Sequence, residues 1–188
     1  MSEHVMLHIE TLGKGNYACV TSLSAVKFDP NDRTEWGGEP LKPSKEMDKF
    51  YVDIDLESAQ KIGLRIDAST VLRWMAPERE AARQALILGE RVDIRSALDG
   101  FSQWYGPHPL PTWGNGAAFD NVIVRNAFEL LDMDCPWKFW DDRCYRTMKA
   151  CFSASRPPNI GSLQTALDNT VWQAQYLQNI VARLGVKL

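Results

Sequence analysis

Met6-Leu7-His8-Ile9-Glu10-Thr11-Leu12-Gly13 is the stretch on which the fold is read. From His4 to Glu10 the chain reads HVMLHIE, rich in residues that suit a pleated, buried surface, and it runs into the turn signal Gly13-Lys14-Gly15-Asn16. A strand is the expected element. Residues two apart on a strand project from one face, so His8 and Glu10 share a face. Taken alone, His8 on an apolar strand reads as an ordinary core or rim histidine. Its meaning depends on what else the chain brings beside it.

Working outward, residues 17–28 (YACVTSLSAVKF) form a second β-rich run, which with the first makes an opening antiparallel hairpin. A polar Gly/Pro-rich stretch from Asn31 to Ser44 precedes a short alternating run, Phe50 to Ile54, expected as a third strand. From Leu56 to Tyr105 the spacing turns helical, with Pro77 placed at a first helical turn. Pro107, Pro109 and Pro111 break that region; Leu110 to Trp113 is a candidate strand, and Phe119 to Leu131 returns to helical spacing. Asp141 to Phe152 and Thr165 to Leu184 read as two more helices, separated by the breaker Ser155-Arg156-Pro157-Pro158-Asn159-Ile160-Gly161. Early strands followed by many helices predict an α/β layered domain, whose strand order periodicity alone does not give.

With 188 residues and 45% hydrophobic content the chain can bury a sizeable core, and a single domain over residues 1–188 is expected. Its net charge of −3 argues against a polybasic protein that coats duplex nucleic acid, but leaves room for a local basic patch serving single strands. No run approaches the ~18 apolar residues needed to cross a bilayer, and Met1-Ser2-Glu3-His4 does not open a secretion signal, so a soluble, cytoplasmic protein with no membrane partner is expected. Cys19, Cys135, Cys144 and Cys151 form no Cys-x-x-Cys pair and have no histidine cluster beside them, which predicts reduced core thiols rather than zinc ligands. Trp74, Trp104, Trp113 and Trp172 fall at helical or strand positions and are expected in the core.

Three segments together carry a resemblance. MLHIETLG at residues 6–13, WGNGAAFDN at residues 113–121 and QTALDN at residues 164–169 resemble, in order, the first, second and third motifs of the DEDDh 3′→5′ exonuclease superfamily. VLRWM at residues 71–75 and FWDDRCYRT at residues 139–147 look like the phage and prophage branch of its ribonuclease T-like members. The resemblance spans about residues 5 to 180. It implies a ribonuclease H-like α/β fold with a mixed central sheet flanked by helices, a homodimer, and hydrolysis by two Mg²⁺ or Mn²⁺ ions.

In that chemistry two ions ~3.5–4 Å apart clamp the scissile phosphate. Hard cations of this kind want several oxygen ligands, mostly carboxylates and water, and a histidine takes the proton from the attacking water. The metal positions implied here are His8, Glu10, Asp120 and Asn169, and the catalytic histidine position holds Gln164. Only Glu10 and Asp120 are carboxylates. Weak or absent metal binding follows, and Gln164 has no group that titrates near neutrality. Asp168 does not replace Asn169, because adjacent helical residues point about 100° apart. Glu10 and Asp120 also have a plain reading, as a strand-end carboxylate and a helix N-cap.

Between Lys138 and Arg156 basic residues interleave with Trp137, Phe139, Trp140 and Tyr145. Arg143, Arg146 and Lys149 are the candidate contacts for single-stranded DNA or RNA, through phosphate neutralisation and base stacking. A solvated helix with core aromatics accounts for the segment equally well. Three functional classes are thus defined: an inactive or severely impaired exonuclease homologue that binds nucleic-acid ends, a still-active enzyme with altered ligands, and a phage or prophage factor acting on a host or phage protein.

Overall fold

The computed structural model describes residues 3–32, 46–154, 156–157 and 165–188. Five strands, β1 (His4–Thr11), β2 (Val20–Phe28), β3 (Asp48–Asp53), β4 (Thr112–Gly114) and β5 (Asp142–Cys144), form one sheet in the order β3-β2-β1-β4-β5. The first three pair antiparallel, whereas β1/β4 and β4/β5 are parallel, so the sheet is mixed as expected. Seven helices surround it among the described residues: α1 (Leu56–Lys61), α2 (Ala68–Trp74), α3 (Glu80–Leu88), α4 (Ile94–Tyr105), α5 (Asp120–Leu130), α6 (Tyr145–Cys151) and α7 (Ala166–Leu184).

Both faces of β1 are covered, which is why its apolar residues do not alternate cleanly with polar ones. Val5, Leu7 and Ile9 pack with Ile94, Phe101 and Phe128 in one cluster, while Met6 packs with Trp113, Tyr145 and Leu177 in the other. His8 and Glu10 follow Met6 at period two and therefore lie on the α7 side. Trp74 and Trp113 are buried, and Trp104 and Trp172 are partly buried against the two clusters. The cysteines divide: Cys19 is buried, Cys135 and Cys144 are half-buried, and Cys151 is exposed, so the expectation of core thiols fails for Cys151.

The segment read as a helix from Asp141 to Phe152 is instead three short elements. A 3-10 turn at Phe139–Asp141 leads into β5, and only Tyr145–Cys151 is helical. A tertiary contact overrides local spacing here: β4 offers a parallel edge, and Asp142 at the head of β5 is tied down by Asn121, Trp137 and Arg125. The stretch from Asn31 to Ser44 falls mostly outside the described residues.

His4 sits at the start of β1, with its Nδ1 accepting from Trp113 Nε1 at 3.0 Å and its ring stacked on the indole. Burial, with the charge of Arg143, lowers its pKa to about 4. The folded state thus resists a proton that the unfolded chain accepts near pH 6.5, and this contribution is present above that pH and lost as pH falls toward 4. We expect thermal stability to drop over that window by about 3 kcal/mol, and His4→Gln to flatten the drop; equal acid slopes for the two proteins would exclude His4 as the source.

Candidate active site

The ladder between β1 and β4 ends at the pair Leu7↔Gly114, leaving Ile9 N–H beyond the strand's last partner. Asp120 fills that position. Its Oδ1 accepts from Ile9 N at 3.4 Å, and it is the first residue of α5, behind Phe119 as N-cap. The plain reading of Asp120 as an N-cap is therefore replaced by a carboxylate turned toward β1. Gly114 is required for this approach, because a Cβ there would stand 2.1 Å from Asn121 Oδ1 and 3.1 Å from Asp120 Cβ.

Asn121 sets the angle at which α5 leaves the sheet. Its Nδ2 donates to Thr112 O at 2.8 Å and to Asp142 Oδ1 at 2.9 Å, and the same oxygen accepts from Trp137 Nε1 at 2.9 Å. Arg125 pairs with the other oxygen of Asp142. None of this network's members was a candidate from the sequence except Trp137, which was named there as one of the aromatics of the basic segment and serves here as a donor to Asp142.

His8, Glu10, Asp120 and Asn169 come together, although 161 positions separate the first from the last. The imidazole is the centre of the group. Its Nδ1 lies 3.4 Å from Asp120 Oδ1, at ion-pair distance without hydrogen-bond alignment, and its Nε2 lies 3.6 Å from Glu10 Oε1 and 3.3 Å from Asn169 Nδ2. Gln173 Nε2 donates to Asn169 Oδ1 at 3.1 Å, one helical turn further on. The helical i, i+4 spacing of Asn169 and Gln173 was a legible signal for that contact. Below the ring, Ser24 Oγ donates to His8 O at 3.1 Å and meets Thr170 Oγ1 at 2.6 Å, clamping α7 to β1.

The His8 side chain is only 12% exposed. Burial alone depresses its pKa, but the Asp120 and Glu10 carboxylates outweigh that and raise it to about 9, favouring the protonated ring. Two metal ions do not fit this arrangement. An imidazole stands between the two carboxylates, Asn169 contributes a neutral amide, and no group of three or more His, Cys, Asp or Glu among the described residues is arranged to hold a metal. Gln164 lies outside the described residues.

The candidate nucleic-acid residues lie on β5 and α6, and of them Arg146 reaches the loop that bears Asp120. Arg146 Nη2 donates to Asn115 O at 2.7 Å, and its guanidinium packs on Gly116, which adopts a φ of +118° in the loop that delivers Asp120. Arg143 Nη1 donates to the Trp140 and Asp142 carbonyls, and Lys149 Nζ lies 5.5 Å from the centre of the Tyr145 ring. Of the interleaved aromatics, Trp137 and Tyr145 are core, while Phe139 and Trp140 are exposed.

A mixed sheet flanked by helices, with the His8 ring between Glu10 of β1 and Asp120 of α5, is built on the scaffold of the ribonuclease H-like exonucleases. The 3'-5' exoribonuclease Rv2179c-like domain model matches residues 3–181, and the chain belongs to that family. It is similar to the exodeoxyribonuclease of Enterobacteria phage T4, at 23% identity over 164 residues that span 76% of this chain and 68% of the phage protein. Among solved structures it is similar in fold to E. coli ExoI in its zinc-bound complex with single-stranded DNA, with a TM-score of 0.61 at 15% identity over 98% of this chain. It spans 41% of that ExoI chain. Cell-death related nuclease 4 is similar too, with a TM-score of 0.55 at 15% identity over 98% of this chain and 65% of the nuclease. No helix among the described residues is long and apolar enough to cross a membrane.

Proposed function

We propose that this chain is an inactive or severely impaired exonuclease homologue that holds the ends of single-stranded nucleic acid. The observation that carries the reading is the His8 ring lodged between Glu10 and Asp120, where the family chemistry calls for carboxylates open to metal. Gln164 adds to it, since an amide cannot take a proton from water. Arg143, Arg146 and Lys149 supply phosphate contacts beside the loop that bears Asp120. The structure of ExoI in complex with single-stranded DNA supports single strands as the ligand class, and the name of the phage T4 exodeoxyribonuclease supports a nucleic acid.

The deciding experiment is a Mg²⁺- or Mn²⁺-dependent digestion assay on labelled single-stranded DNA and RNA, beside a binding measurement on the same molecules. Binding without digestion is the expected result, and digestion at a rate typical of an enzyme would select the active reading with altered ligands. Calorimetry should show no pair of tight Mn²⁺ sites; two such sites would overturn the metal argument. The exposed Phe139–Trp140 pair, with ring centres 4.9 Å apart, favours a second reading as a protein-interaction factor, which absence of both binding and digestion would select. The ribonuclease T resemblance also carries a homodimer, to be checked by sedimentation; a monomeric mass at every concentration would refute it.

A further inference from the structure

We propose that the face formed by α6 and α7 carries a second contact for single-stranded nucleic acid: an open groove at the far end of α6, where Arg183 takes a phosphate and Phe152 a base. The proposal rests on the reading that the chain holds single strands, and extends where such a strand runs.

The charge of the molecule is unevenly placed. Residues 143–188 contain six Lys and Arg and a single Asp, in a chain whose net charge is −3. Three of these cations, Arg146, Lys149 and Arg183, are placed along α6. Arg146 lies against the loop that delivers Asp120, and Lys149 lies over the Tyr145 ring. Helix α6 starts where β5 ends, on the side of the sheet's carboxylate cluster, and runs away from it for seven residues, or about 10 Å.

At that far end Cys151, Phe152 and Ser153 face Ile180, Arg183 and Leu184 across a groove of about 250 Å³. Phe152 is 40% exposed, so its ring is open to a stacking partner. Arg183 is already oriented: one guanidinium nitrogen is tied to the Ser153 carbonyl and lies 3.3 Å from the Ser153 hydroxyl. A planar fork held this way loses little freedom when it meets a phosphate. Single-strand binding proteins combine a positive track with an aromatic platform, and here the track leads from the Asp120 loop to the Phe152 platform. That continuity with the candidate site favours a polynucleotide over an acidic peptide, which would need only one end of the track.

The test is fluorescence anisotropy of the full chain with 5′-labelled oligothymidylate and oligouridylate of about 4, 8 and 12 nucleotides, lengths within the range single-strand grooves occupy. Wild type should bind more tightly as length grows, and the two sugar types distinguish DNA from RNA. Arg183→Ala and Phe152→Ala should weaken the longest strand roughly ten-fold and leave the shortest unchanged. Arg183→Ala should also reduce the salt dependence by about one ion, and Arg183→Lys should restore the slope. Phe152→Leu keeps an apolar side chain in the groove without a stacking face, and should behave as Phe152→Ala does. Arg143→Ala with Arg146→Ala, near the carboxylate cluster, should weaken every length.

If wild type gains affinity with length but the Arg183 and Phe152 variants match it, the groove is not the contact and the proposal falls while the binding reading stands. Tighter capture of an oligoglutamate peptide than of either oligonucleotide would assign the groove to a protein tail instead. If wild type binds no oligonucleotide of any length, the reading of the preceding section fails, and this one with it.

Discussion

A variant carrying His8→Asp, Gln164→His and Asn169→Asp together regains metal-dependent digestion of single strands from the 3′ end, while each single reversion leaves the chain close to inert. The triple change replaces the imidazole between Glu10 and Asp120 with a third carboxylate, turns the Asn169 amide into a fourth, and supplies a histidine as base. Groups that assemble one site act as a unit, so their effects do not add. A positioned base alone contributes roughly 10²–10⁴-fold, and only when the metal ligands are present does it have a bound water to act on. Digestion should rise with pH through the new histidine's titration and stop in chelator. A folded triple variant that binds Mn²⁺ yet leaves single strands intact would show that the site has changed beyond these three positions, and would move weight to the interaction-factor reading.

His8→Asp by itself should destabilise the protein. In wild type the His8 ring lies within 3.6 Å of two carboxylates that favour its protonated form, one of them, Asp120, only 4% exposed in its side chain. The substitution removes the cation and adds a third negative charge to the same space. Breaking a buried pair in this way costs about 3–5 kcal/mol, which for a chain of this size lowers the melting temperature by roughly 6–20 °C in chelator. His8→Asn, which removes the positive charge without adding a negative one, should fall between the two. Excess Mn²⁺ should raise the melting temperature of the variant with both His8→Asp and Asn169→Asp, by mass action on the folded state, and leave wild type unmoved. If His8→Asp melts with wild type in chelator, the ring is not holding the carboxylates together.

How far the sequence could be read depends on the range over which each feature is determined. α7 was legible because nineteen residues keep a period long enough to recognise, and β1 because its residues are rich in β-formers and end at a Gly-rich turn signal. β5 was not, since three residues carry no period and the helical spacing of Tyr145–Cys151 extends visually back across them. The resemblance names His8, Glu10, Asp120 and Asn169, but the placement of the His8 ring is not in it: that depends on Asp120 arriving 112 residues later, through a loop whose turn requires Gly116. The Asp142 network escaped notice for a similar reason. Asp142 falls in a stretch read as helix, and only the parallel pairing of β5 with β4 turns the carboxylate inward toward Asn121 and Trp137.

That network also bears on which exchanges reach the frame. The angle of α5, and with it the reach of Asp120, is set by Asn121, Asp142, Arg125 and Trp137, none of which is a metal or base position. The frame that places Asp120 and the groups that line the site are therefore separate parts of the molecule. An exchange at Asn169 touches none of the bonds that hold α5, whereas a change at Asp142 removes at once the shared partner of Asn121, Trp137 and Arg125.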